Sequence, residues 1–313
     1  MDWNILFYDF GYVAVAFACI YFTGWMIYDK LATKSYSLSH AIFEEQNMAA
    51  GLEIACFLAM EILIAVSAMS GEEALQKTAG GELTFNYALD LEAVGVTILF
   101  SNIVFFAFRY IASRWIQSRF EGEIDQQGDA VQFNNEIFVQ HNLAASLFSV
   151  SFMLIMYFMI LQEDFLGIQL YKTEAYINMS AVLGLGLLNY VFYSIFFMKK
   201  GHTTLRELFI DNNSGVGMSL VGFMFGGLYL QSKLIGQFEL KEHFFATVPE
   251  TYYYLIVMIV FLLVARKSFT VFIEVFAKRN FKKDFLDTDN PVVGLLDMTF
   301  MIGVAYLLGT MLA

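Results

Sequence analysis

The chain has little of what a water-soluble enzyme is built from. Of its 313 residues, 15% are charged, 2 are proline, 2 are cysteine and 4 are histidine. Each shortage excludes something. Cys19 and Cys56 lie in separate apolar stretches, so they supply neither a disulfide framework nor a metal-ligand spacing. Pro249 and Pro291 both stand at the starts of apolar runs, where proline is tolerated, so the broken helices that mark many transporters are not expected. His40, His141, His202 and His243 fall outside the apolar runs and leave no paired membrane ligands for a haem. The chain has no phosphate loop, nucleophile elbow, HExxH or CxxC. No catalytic residue, metal site or cofactor is therefore expected. A net charge of −12 argues against a nucleic-acid partner.

Apolar residues, by contrast, abound. They make up 58% of the chain, with 34 Phe, against about 45–50% in soluble domains. A membrane span needs about 20 largely apolar residues. Eight runs qualify: 5–28, 48–69, 89–112, 143–161, 175–198, 214–235, 251–276 and 292–312. The expected fold is an all-α polytopic bundle whose first partner is the lipid bilayer. The opening "MDWNILFYDF" has no basic stretch before its apolar run, so the first span is expected to stay in the mature protein.

One phrase organises the eight runs. "IFEEQNMAAG" (42–51) returns as "IFVQHNLAAS" (137–146), "LFIDNNSGVG" (208–217) and "FLDTDNPVVG" (285–294). Its Asn residues are Asn47, Asn142, Asn213 and Asn290, and each phrase immediately precedes an even-numbered run. The unit is an odd span, a polar connector, the phrase and an even span. Four such units give four parallel hairpin repeats, at 1–71, 72–166, 167–236 and 237–313. Insertions lengthen the outer loop at 70–86 and the connector at 119–135, and both are expected to be solvated.

Lysine and arginine set the orientation. Of the 18 basic residues, 14 lie in the last turns of odd spans or in the connectors after them, Arg109, Arg114, Lys199, Arg266 and Lys282 among them. The connectors are expected in the cytoplasm and both termini on the opposite side.

The stretches "ELFIDNNSGVGMSLVGFMFGG" (207–227) and "EIFVQHNLAASLFSVSFML" (136–154) resemble the repeat of the domain of unknown function 350, the YjfL-like bacterial membrane proteins. The first and last phrases depart more, with Glu53 and Glu61 in the first even span and Pro291 after the last Asn. The resemblance implies a bacterial inner-membrane protein with no established activity. Relatives beside envelope-stress proteins imply an accessory role, with other membrane proteins or a second copy of the chain as partners.

Three sets of residues are candidates for function. The four Asn suit helix N-capping. Gly51, Ser146, Gly217 and Gly294, four residues on, suit close helix packing. Alternatively, four amides at one depth would ring a polar axis. The second set is Glu53, Glu61 and Asp297, acids at membrane depth, where ionisable groups are costly and default to functional candidates, the alternative being protonated or lysine-paired acids that close the bundle or meet a partner subunit. In a closed ring of units Glu53 and Asp297 would approach one another and hold a proton or cation. The third set, Asp9, Asp90, Glu92, Glu174 and Glu250, lies at the outer ends of odd spans, where helix caps or a cation-attracting vestibule are the alternatives. The reading favoured is a non-enzymatic accessory or scaffold protein, with an ion or proton pathway along the repeat axis as the alternative.

Overall fold

The computed structural model describes the backbone except at 1–2, 34–35, 70–74, 78–82, 86, 162–172, 200, 238–239 and 313. Its side chains are described outside 1–9, 34–35, 69–90, 93, 161–178, 200, 234–252, 254–255 and 312–313.

Long helices follow the apolar runs: α1 (Trp3–Tyr28), α2 (Met48–Met69), α3 (Tyr87–Arg119), α5 (Leu143–Leu161), α6 (Thr173–Phe197), α8 (Ser214–Gln237), α9 (Leu240–Phe276) and α10 (Pro291–Leu312). Among the described residues, seven of these are long and apolar enough to cross a membrane. The exception is α8. At 24 residues it is long enough to span, but it carries glycine and Gln231 on faces that pack against protein. It lies between α5 and α10 and also touches α6 and α9, so less of its surface needs to be lipid-compatible.

Each even span is entered through a short helical turn. Units two and three use six-residue helices, α4 (Phe133–Phe138) and α7 (Thr204–Phe209). In units one and four, π-helical turns at His40–Glu44 and Lys283–Asp287 hold the same place. The reversal into the next span is made by a left-handed residue immediately before each phrase Asn. These are Gln46 (φ 53°), His141 (57°), Asn212 (52°) and Asp289 (48°). Asn, Asp and His are the non-glycine residues most tolerant of that region.

The even helices form a row, α2–α5–α8–α10, with successive members in direct contact. Their N-terminal ends lie side by side. Ser146 Oγ at the start of α5 donates to Ala49 O at the start of α2 over 2.8 Å, and Gly217 packs on Leu147 and Ala144. The helices are therefore parallel. The odd helices form a second layer in the grooves of the first. α3 touches α2 and α5, α6 touches α5 and α8, and α9 touches α8 and α10. α1 packs on α2. Among the described residues the units form this open row and not the closed ring in which Glu53 and Asp297 would approach. Each unit's even helix packs on the one before it, and that pairing repeats without turning back on itself.

The core between the layers is aromatic. Phe57, Phe148, Phe209 and Phe223 are fully buried, and ring pairs such as Phe57–Phe105 (4.8 Å) and Phe148–Phe209 (5.3 Å) join neighbouring elements.

Each insertion carries local structure among its described residues. In the outer loop, β1 (Leu75–Lys77) and β2 (Leu83–Phe85) pair antiparallel. In the cytoplasmic insertion, Asp125 is buried and accepts from the N–H groups of Gln127 (2.8 Å) and Asp129 (3.0 Å) and from Gln140. Phe120 and Val131 bury its two ends, so an acidic, glycine-bearing stretch becomes a pinned turn.

Candidate functional site

The four Asn act along the row. The side-chain oxygen of each accepts from the first turn of its own span: Asn47 from Ala50 N (3.0 Å), Asn142 from Ala145 N (3.1 Å), Asn213 from Val216 N (3.0 Å) and Asn290 from Val292 N (3.0 Å). That is N-capping, which satisfies a donor the helix cannot pair internally.

The amide nitrogen does something the sequence did not signal. Asn47 Nδ2 donates to Ile137 O (2.8 Å), Asn142 Nδ2 to Leu208 O (3.0 Å) and Asn213 Nδ2 to Phe285 O (3.1 Å). Each acceptor is five positions before the next unit's own Asn. Each lies in the last turn of a connector helix, where carbonyls lack helical partners. One side chain thus completes the start of its own span and the end of the next unit's connector. Asn47, Asn142 and Asn213 are buried to do this. Two acids join them: Asn142 Nδ2 also donates to Glu136 Oε2 (2.9 Å) and Asn213 Nδ2 to Glu207 Oε2 (3.1 Å). Burial pushes Glu136 up to about 7, opposed by the Asn142 bond and reinforced by Asp125 and Asp129. Burial also raises Glu207, while its contact with His202 opposes the shift. The amides of Asn47, Asn142 and Asn213 each point to the next unit's connector, and not to one axis shared by all four Asn.

Small residues four positions after the Asn work as close contacts at three sites. Ser146 bonds to Ala49, Gly217 meets Leu147 and Ala144, and Gly294 lies against the Gly215 backbone, where an added Cβ would collide. At Gly51 nothing lies within 4 Å of where a Cβ would stand.

The membrane-depth acids do not meet. Glu53 and Asp297 are fully buried in separate ion pairs at opposite ends of the row. Glu53 binds Arg109 and accepts from Ser149 Oγ. Asp297 receives Arg266 Nε over 2.8 and 2.9 Å and accepts from Ser219 Oγ. The two clusters are built alike. Arg109 and Arg266 each stand ten residues before the ends of their helices, Arg119 in α3 and Phe276 in α9. Each bridges two adjacent even helices, one giving an acid and the other a serine. The acid comes from the earlier helix at one junction (Glu53, with Ser149) and from the later helix at the other (Asp297, with Ser219). Aromatic faces cover both cations, Phe133 at 4.8 Å from Arg109 and Phe197 at 3.5 Å from Arg266. By sequence, these arginines count toward the positive-inside tally; folded, they are buried inside the bundle. The available signal is an Arg inside an apolar run, alone in "FFAFRYIA" and followed by Lys267 in "FLLVARKS".

Glu61 is buried as well, but accepts from neutral donors, Ser101 Oγ at 2.7 Å and Asn102 Nδ2 at 3.2 Å. A second polar pair ties α6 to α8. The amides of Asn189 and Gln231 bond reciprocally at 3.1 Å in both directions. Of the outer acids, Glu92 is exposed, and the side chains of Asp9, Asp90, Glu174 and Glu250 lie outside the described residues.

The family model described as Domain of Unknown Function (DUF350) matches residues 3–163 and again 170–312. Each match spans two hairpin units, and the ion-pair clusters fall one in each. No curated protein and no solved structure matches the chain.

Proposed function

Because the chain belongs to the DUF350 family, whose description carries no activity, we propose a function from its own geometry: a non-enzymatic scaffold within a bacterial inner membrane. The observation that carries this reading is the use made of Glu53 and Asp297. An acid that exchanges protons or ions has to be released from its partners at some stage of the cycle. Here each acid is held by an arginine and a serine from neighbouring helices, as a rivet between spans. Truncating one member of such a pair leaves a buried charge and costs about 3–5 kcal/mol. Reconstituted into liposomes, the protein is expected to pass no protons or cations, and Glu53→Gln to weaken the fold. Flux that Glu53→Gln abolishes while the bundle keeps its stability would overturn the scaffold reading.

The orientation proposed puts the connectors in the cytoplasm and both termini outside, from the distribution of lysine and arginine. An impermeant amine reagent applied to spheroplasts should spare Lys199 and Lys282 and reach Lys77 and Lys241. The reverse pattern would invert the protein.

A second reading rests on Glu61. Among the described residues its hydrogen-bond partners are the neutral Ser101 and Asn102, and a membrane-depth carboxyl without a cation is a natural proton holder. If Glu61 carries protons, Glu61→Gln removes a flux that the Glu53→Gln and Arg109→Gln double variant retains.

A further inference from the structure

We propose that copies of this protein associate head to tail in the membrane, the α9–α10 end of one docking on the α1–α2 end of the next. The contact would repeat the junction that already joins successive units within the chain.

That internal junction has four recurring parts. An Asn amide donates to the connector carbonyl five positions before the next Asn. The next bulky residue of that connector is buried beneath it: Phe138 is 2% exposed, Phe209 0% and Leu286 3%. A small residue four positions after the second Asn packs against the residue two positions after the first, as Ser146 does on Ala49, Gly217 on Ala144 and Gly294 on Gly215. An odd helix fills the groove between the two even helices.

The first unit carries the receiving half of this junction, and among the described residues it lies open. Phe43, the counterpart of Phe138 and Phe209, is 72% exposed, with Trp25 stacked on one side at 6.3 Å. The carbonyl of Ile42 holds the position of Ile137, Leu208 and Phe285, and no Asn side chain among the described residues donates to it. The site above Gly51 is empty for 4 Å around the place a Cβ would take. α1 lies along one flank of α2 as half a groove.

The fourth unit carries the donating half, equally uncovered. Asn290 is half-buried where its counterparts are buried. Its oxygen caps Val292 N, and among the described residues its nitrogen reaches no connector carbonyl. Val292 is 61% exposed, whereas its counterparts Ala49 and Ala144 are fully buried. Leu296 is 51% exposed, and its counterparts Glu53, Phe148 and Ser219 are fully buried.

The two halves fit. Val292, the largest residue at its position in the four units, would meet Gly51, the phrase position with open space above it. The Asn290 amide would meet the Ile42 carbonyl. Lipid tails would cover the apolar part of either face, whereas a second copy also brings the amide and the carbonyl into the bond that the internal junctions make. Because the units are parallel, a second copy in the same orientation presents the right face without inverting across the bilayer. The contact is heterologous, so it propagates into a row or closes a ring according to the rotation at each junction. It does not depend on the scaffold reading, since a proton-conducting chain would carry the same two faces.

Blocking each end separately tests the proposal. Gly51→Trp fills the receiving face, where there is space, and Val292→Trp fills the donating face, where the side chain is exposed. Both should leave the fold intact, which thermal unfolding checks. Photobleaching steps counted in native membrane vesicles should show the parent as assemblies of two or more copies and each blocked variant as monomers. Co-expressed, the two variants should form dimers and nothing larger, since one intact donating face meets one intact receiving face. A monomeric parent, a blocked variant that still assembles, or a co-expressed pair that stays monomeric would overturn it.

Discussion

Replacing Asn142 with aspartate separates a plain helix cap from the inter-unit bond the structure shows. Aspartate keeps an oxygen for Ala145 N and suits a helix N-terminus, so capping alone predicts a stable variant. The structure predicts otherwise. Asn142 Nδ2 lies within bonding distance of Leu208 O, Glu136 Oε2 and Asn212 Oδ1, and the introduced carboxylate would face the Leu208 carbonyl, which can only accept, with no hydrogen to give it. A buried carbonyl stripped of its donor costs about 1–3 kcal/mol. The loss should therefore be about 2 kcal/mol or somewhat more, even with the cap retained. Asn142→Leu adds the lost cap, about 1 kcal/mol, for a total of about 3 kcal/mol. Asn290→Asp is the control, because Asn290 bonds its own helix through the oxygen that aspartate keeps; it should change the stability of a monomer little. Equilibrium unfolding in mixed micelles, followed by tryptophan fluorescence, would rank the three. An Asn142→Asp variant as stable as the parent, or equal losses at the two positions, would refute the inter-unit role.

Three further outcomes follow from the same geometry. Glu53→Gln alone should cost about 3–5 kcal/mol, because Arg109 stays buried and unpaired, while adding Arg109→Gln should recover much of that; additive losses in a double-mutant cycle would contradict the pairing. Gln46→Gly should stabilise by about 0.5–1 kcal/mol, since Gln46 is exposed at φ 53° and glycine adopts that region without strain; Gln46→Val should do the reverse, and equal unfolding midpoints would remove the strain argument. Glu136, whose carboxyl burial lifts from 4.5 to about 7, holds its proton in the folded state over a range where the unfolded chain has lost it. Its contribution to stability is thus fully present below about pH 4.5 and is lost as the pH rises through about 7. Denaturation midpoints measured across that window should fall less for Glu136→Gln than for the parent, and a parent that gains stability relative to it would reverse the assignment.

Hydropathy determined where the long helices run, with α8 the weakest case because protein neighbours cover it, since a span must satisfy its own backbone and present apolar surface to lipid. The repeated phrase likewise determined where each even helix begins, since a cap is a bond between an Asn and its own first turn. Polar residues before that Asn, in "QN", "HN", "NN" and "DN", also held the left-handed reversal in plain sight, though a tolerant residue does not by itself say that the chain turns there. What the tertiary structure decided is everything that passes between units. Asn142 and Leu208 are 66 positions apart, and no local pattern says that the second nitrogen of a capping side chain reaches the next connector. The same holds for Arg109 and Arg266. Their placement in apolar runs was legible, but whether they faced the cytoplasm or a buried acid depended on which helices became neighbours. Row or ring is set by the angle at which one even helix packs on the next. That angle comes from side-chain contacts at glycine and serine positions summed across the whole interface, and periodicity along a single helix carries no record of it.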